Sequence, residues 1–134
     1  MNQENTPIEL PEKLSLDLYK CWDEHRAAFK SLVDELAVEC PDFTLKSKNR
    51  YSAFYRWTRP YVYVDPQSRK IRFGFFADYI SNVRDHIQIG KTSFPKWNSS
   101  KGGLVGFSLE GFGDELQACM KDIKFLILES YRTF

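Results

Sequence analysis

Gly90-Lys91-Thr92 carries the residues that close a phosphate-binding loop. That loop also needs a glycine five positions before the Gly-Lys pair, so that backbone amides can wrap a phosphate. Asp85 stands there and would repel the anion. Gly111-Phe112-Gly113 lacks the third glycine of a dinucleotide fingerprint and is expected to serve as a turn and helix cap. The two histidines, His25 and His86, are far apart. His25 falls within an apolar helical stripe, where a packing role is the ordinary one. Asp65 followed by Arg69-Lys70 does not have the carboxylate spacing of a metal-dependent nuclease. Cys21, Cys40 and Cys119 are odd in number and form no C-x-x-C pair, which argues against a disulfide framework and a zinc site. No catalytic residue, metal or cofactor is therefore expected, and an enzyme is the less favoured reading.

What survives is a lopsided distribution of charge. Residues 1–42 hold ten acids and four bases, residues 43–72 eight bases and one acid, and residues 73–134 seven of each. The eight bases are Lys46, Lys48, Arg50, Arg56, Arg59, Arg69, Lys70 and Arg72, interleaved with Tyr51, Tyr55, Trp57, Tyr61 and Tyr63. Cations that neutralise phosphates and rings that stack on bases are the two parts of a sequence-tolerant single-strand surface. The candidate nucleic-acid-binding residues are Lys46, Lys48, Arg50, Arg56, Trp57, Lys70 and Arg72. Single-stranded nucleic acid or another anion is the expected partner. The competing reading is a sheet face turned to water, where Lys and Arg are ordinary. A second candidate, for a protein partner or small ligand, is the loop 91–103, with Lys91, Phe94 and Trp97.

These residues are positioned by elements legible from periodicity. Residues 1–13 contain Pro7 and Pro11 and read as a flexible arm; residues 14–134 read as one α+β domain. Ser15 fits an N-cap, and Leu18, Trp22, His25, Phe29, Leu32, Val33 and Leu36 make one stripe on a helix running to about Glu39, stopped by Pro41. Alternation then predicts strands over 43–48, 50–58, 61–64 and 69–76, with Pro60 breaking the second and a turn at Asp65-Pro66-Gln67-Ser68. Residues 78–89 fit either a short helix or the start of a strand. Residues 104–109 read as a strand. Leu116, Met120, Ile123, Ile127 and Tyr131 make the stripe of a closing helix. An antiparallel sheet of four to five strands with two long helices, N- and C-terminal, packed on one face is the expected architecture.

The polar N-terminus has neither a basic nor an apolar segment of a secretion signal. No apolar run approaches the roughly 18 residues of a membrane span, so a cytoplasmic protein is expected. The run N-R-Y-S-A-F-Y-R-W with Y-V-Y-V-D-P-Q-S-R-K-I-R-F-G-F, and the C-terminal W-N-S-S-K-G-G-L-V-G-F-S-L and D-E-L-Q-A-C-M-K-D-I-K-F-L-I-L-E-S-Y, resemble an uncharacterised bacterial domain family once labelled "predicted transport protein". Its members often sit at the C-terminus of nuclease-like and restriction-associated proteins. The resemblance spans residues 14–131, and the loop 90–101 departs from it. It implies an α+β domain and a DNA-associated context, and it transfers no catalytic residue. A more distant resemblance is to small bacterial domains of frataxin-like fold.

Overall fold

Pro11 has a fixed φ and no N–H to leave unbonded, which suits it to starting a helix. The computed structural model describes residues 10–48, 51–80, 91–92 and 104–133. In it α1 runs Glu12–Leu18, with Pro11 as its N-cap residue. The N-terminal helix is thus not continuous from Ser15 to Glu39. It ends in a tight turn, where the amides of Tyr19, Lys20 and Cys21 donate to the carbonyls of Leu16, Asp17 and Leu18 at 3.2, 3.1 and 3.0 Å. Arg26 reaches back and donates to the Leu18 and Cys21 carbonyls at 3.0 and 3.3 Å, satisfying groups that a helix end leaves open. The second helix, α2, is Asp23–Glu39. Trp22 becomes its N-cap residue and is 44% exposed, instead of lying in the buried stripe.

The strands are β1 (Phe43–Ser47), β2 (Ser52–Arg56), β3 (Arg59–Pro66), β4 (Ile71–Phe76), β5 (Lys91–Thr92) and β6 (Leu104–Leu109), and α3 (Gly113–Thr133) closes the chain. They form one antiparallel sheet in the order β1-β2-β3-β4-β6-β5. Pro60 is not the break after the second strand: β2 already stops at Arg56, and Pro60 lies within β3. It sits opposite Tyr55 near the start of β3, where it has no N–H to offer the ladder. One extra residue, Tyr61, then intervenes before Val62 pairs with Phe54, a β-bulge. The β3–β4 turn is two residues later than expected, closed by Gln67 N–H to the Lys70 carbonyl at 2.8 Å. A 3₁₀ turn covers Ala77–Tyr79. Residues 81–89 of the ambiguous stretch, with His86, lie outside the described residues.

One face of the sheet carries Phe43, Leu45, Phe54, Val62, Val64, Ile71, Phe73, Phe75, Phe107 and Leu109, and these join Leu14, Leu18, Phe29, Leu32, Leu36, Leu116, Ile123 and Ile127 in one core. Phe29 of α2 lies on Phe73 of β4 with ring centres 6.1 Å apart. Met120 is partly buried against this core. Helices α2 and α3 run in the same direction. Glu24 accepts from the Gly113 amide at 3.5 Å, and Lys124 bridges Glu35 and Glu39 at 3.1 and 2.7 Å. Gly111 and Gly113 have φ of +80° and +60°, the left-handed conformations that turn the chain from β6 into α3. Among the described residues no helix is long and apolar enough to cross a membrane.

Candidate anion-binding surface

Side chains alternate across a strand, so the register decides which bases share a face. Lys46 pairs with Ala53, Ala53 with Tyr63, Tyr63 with Gly74 and Gly74 with Gly106, a row on the face away from the helices. Lys48, Tyr51, Tyr55, Asp65, Arg72 and Phe76 have the same parity. Tyr51 and Tyr63 are half-buried and meet edge-to-face at 5.0 Å. Tyr55 is buried, with the Lys46 ammonium 5.2 Å from its ring centre. Burial, reinforced by a hydrogen bond with Tyr51, holds the Tyr55 hydroxyl well above the usual phenol range; burial also raises Tyr63. The Tyr55 and Tyr63 phenols therefore stay neutral at physiological pH.

The basic residues divide between the two ends of this sheet. At one end, Lys48 follows β1, Arg72 lies in β4, and Arg69 and Lys70 occupy the β3–β4 turn. Arg72 is held by Asp65, its Nε donating to Oδ2 at 3.1 Å with a second bond from Nη2. None of the ion pairs among the described residues involves Lys46, Lys48, Arg69 or Lys70. Arg69 is not among the candidate residues read from sequence, which places it at the start of a strand over 69–76; the structure puts it in the β3–β4 turn instead. Arg50 lies outside the described residues.

Arg56 and Trp57 lie at the opposite end, at the β2–β3 hairpin. Arg56 shares its parity with Phe54 and so points to the helix side. Its Nη1 donates to the Tyr131 carbonyl at 3.1 Å and its Nε to Asp42 Oδ2 at 3.3 Å. Its guanidinium lies 4.2 Å from the Tyr131 ring centre and 4.7 Å from that of Trp57. The Tyr131 hydroxyl donates to Asp42, which holds the Asp42 carboxyl below its ordinary range and raises the phenol. Arg56 is thus an internal clasp between the hairpin, the start of β1 and the end of α3. Trp57 sits at the hairpin tip, 65% exposed, with φ of 60°, a rare conformation for a bulky residue.

Of the histidines and cysteines among the described residues, His25, Cys21 and Cys40 are buried and Cys119 is half-buried. His25 is buried under Trp22 and Phe112, ring centres 5.6 and 5.3 Å away, and its Nε2 donates to the Gly111 carbonyl at 2.9 Å. Cys21, Cys40 and Cys119 are free thiols; burial raises all three, Cys40 to about 11. Among the described residues no group of three His, Cys, Asp or Glu side chains is arranged to hold a metal ion. Of the alternative loop, Lys91 opens β5, while Phe94 and Trp97 lie outside the described residues. No family model matches the chain, and neither a curated protein nor a solved structure matches it.

Proposed function

We propose that this domain is a non-catalytic binding module for an anionic partner, single-stranded nucleic acid foremost. Lys46, Lys48, Arg69 and Lys70 supply the phosphate contacts, and Tyr51 and Tyr63 are half-buried rings on the sheet face that carries Lys46 and Lys48. The observation that carries the reading is the set of four cations without a carboxylate partner among the described residues, gathered toward one end of a sheet whose outer face also bears half-buried aromatics.

The test is fluorescence anisotropy of a labelled oligothymidylate at several salt concentrations. Three to four phosphate contacts give a slope of log affinity against log salt of about −2 to −3. Removing both Lys46 and Lys48 by alanine should flatten it by roughly 1.4. Arg56→Ala should leave the slope unchanged, since that guanidinium is already engaged. No binding at about 50 mM salt, where such contacts are strongest, overturns the proposal.

A further inference from the structure

Strand β1 is an edge of the sheet, and the direction of its main-chain groups follows from one bond. The Lys48 amide donates to the Tyr51 carbonyl at 2.7 Å, which makes that a hydrogen-bonded pair. Such pairs alternate in an antiparallel ladder. Lys46/Ala53 and Thr44/Tyr55 are then bonded pairs, while Leu45/Phe54 and Ser47/Ser52 are not. The direct contact of the Ser47 and Ser52 hydroxyls at 2.8 Å fits the closer side chains of a non-bonded pair. The N–H and C=O groups of Leu45 and Ser47 therefore project away from β2, along the open edge.

A cleft of about 480 Å³ runs beside those groups, lined by Leu10, Pro11, Glu12 and the stretch from Leu45 to Lys48. Its lining is mixed: Leu10, Pro11 and Leu45 are apolar, and Glu12, exposed at the start of α1, is acidic. On the face away from the helices stand Lys46 and Lys48, both exposed.

We infer that the β1 edge is a docking site for an extended acidic segment of a partner protein, which adds to the sheet as an antiparallel seventh strand. Side chains opposite Leu45 and Ser47 enter the cleft, where Leu10, Pro11 and Leu45 favour apolar groups. Side chains opposite Lys46 and Lys48 lie on the other face and are acidic. Lysines on an edge strand also guard against unwanted pairing. Here they select among occupants: a second copy of β1 would set Lys46 and Lys48 against their own kind, whereas an acidic strand neutralises them. The site shares these two lysines with the proposed nucleic-acid surface but stands on main-chain groups that no phosphate contact requires.

The experiment uses the full chain and a fluorescein-labelled nine-residue peptide alternating valine and glutamate. In an antiparallel addition the valines opposite Leu45 and Ser47 donate their N–H groups to β1, and the glutamate N–H groups point to water. N-methylation of two central valines should weaken binding about tenfold or more, from the loss of two hydrogen bonds. N-methylation of two central glutamates should leave binding unchanged, and a valine–lysine peptide should not bind. Ser47→Pro removes an outward N–H without removing a ladder bond, and should weaken the peptide while sparing the oligonucleotide slope. Should that variant fail to fold, the methylated peptides decide alone. Equal binding of the valine-methylated peptide, or no binding of the parent peptide, overturns the proposal. Oligonucleotide binding without peptide binding overturns only the strand docking, and peptide binding without oligonucleotide binding overturns only the nucleic-acid reading.

Discussion

Replacing Arg56 by alanine separates a structural cation from a binding one. The side chain is about three-quarters covered, at 24% relative exposure, and makes one hydrogen bond to the Tyr131 carbonyl and two ring contacts. A hydrogen bond from a charged donor contributes about 1.5–3 kcal/mol. Each cation–π contact at a partly exposed site contributes roughly 0.5–1 kcal/mol. The Asp42 partner is exposed, and its Coulomb attraction is screened by water. These parts are not additive, so the expected loss is about 2–3 kcal/mol. The assay is urea unfolding followed by tryptophan fluorescence, with the midpoint shifting at constant slope. Arg56→Lys keeps the charge but loses the planar fork and the stacking face, and should recover less than half of the loss. A loss below about 1 kcal/mol, or full recovery by lysine, would refute the clasp. A flattened oligonucleotide salt dependence would show instead that Arg56 contacts phosphate directly.

Phe29→Ala should cost about 3–5 kcal/mol in the same unfolding experiment, because the ring is 0% exposed and packed on Phe73; a loss below about 1 kcal/mol would mean that α2 does not bury this face. Tyr131→Phe removes the hydroxyl that lowers the Asp42 carboxyl, so the Asp42 titration midpoint, read from its side-chain carbon chemical shift, should rise. The sign for stability follows: Asp42, with its folded pKa depressed, stabilises the fold above the ordinary carboxylate range, and this is lost as pH falls through the depressed value. The variant should show a weaker decline of stability on acidification, and an unchanged midpoint and acid profile would count against the bond.

The apolar stripes were legible because burial imposes a period that local chemistry seldom disguises. Phe29, Leu32, Leu36, Ile123 and Ile127 lie in the core where their spacing places them. The break between α1 and α2 was not legible. Residues 14–36 contain neither Gly nor Pro, and the break is stabilised by Arg26 bonding two carbonyls, a contact that periodicity does not encode. Trp22 follows from that break, since the turn swings it onto Phe112 at 4.9 Å. In the meander, composition revealed the basic segment but not its pairing. Parity alone separates Arg56, which alternates with Tyr55 and Trp57, from Lys46 and Lys48. The neutralisation of Arg72 by Asp65 depends on β3 and β4 being paired neighbours in register, which requires the hairpin geometry itself.

Internal pairing also changes what the basic segment can do. Arg56 and Arg72 are both engaged by carboxylates, so the field of the segment is weaker than its formal charge and is concentrated where Lys46, Lys48, Arg69 and Lys70 stand. Four cations set an upper bound of about −2.8 on the salt slope for a single strand bound there alone. Lys46 and Lys48 lie beside the open main chain of β1, whereas Arg69 and Lys70 lie across the sheet, beyond β3. Reversing the charge at Arg69 and Lys70 with glutamate should therefore weaken a nucleic acid that spans the sheet end and barely affect a strand docked on the β1 edge. The same reversal at Lys46 and Lys48 should weaken both. Equal sensitivity of both ligands to the Arg69/Lys70 pair would show that they share one surface, and that the β1 edge is merely guarded by its lysines.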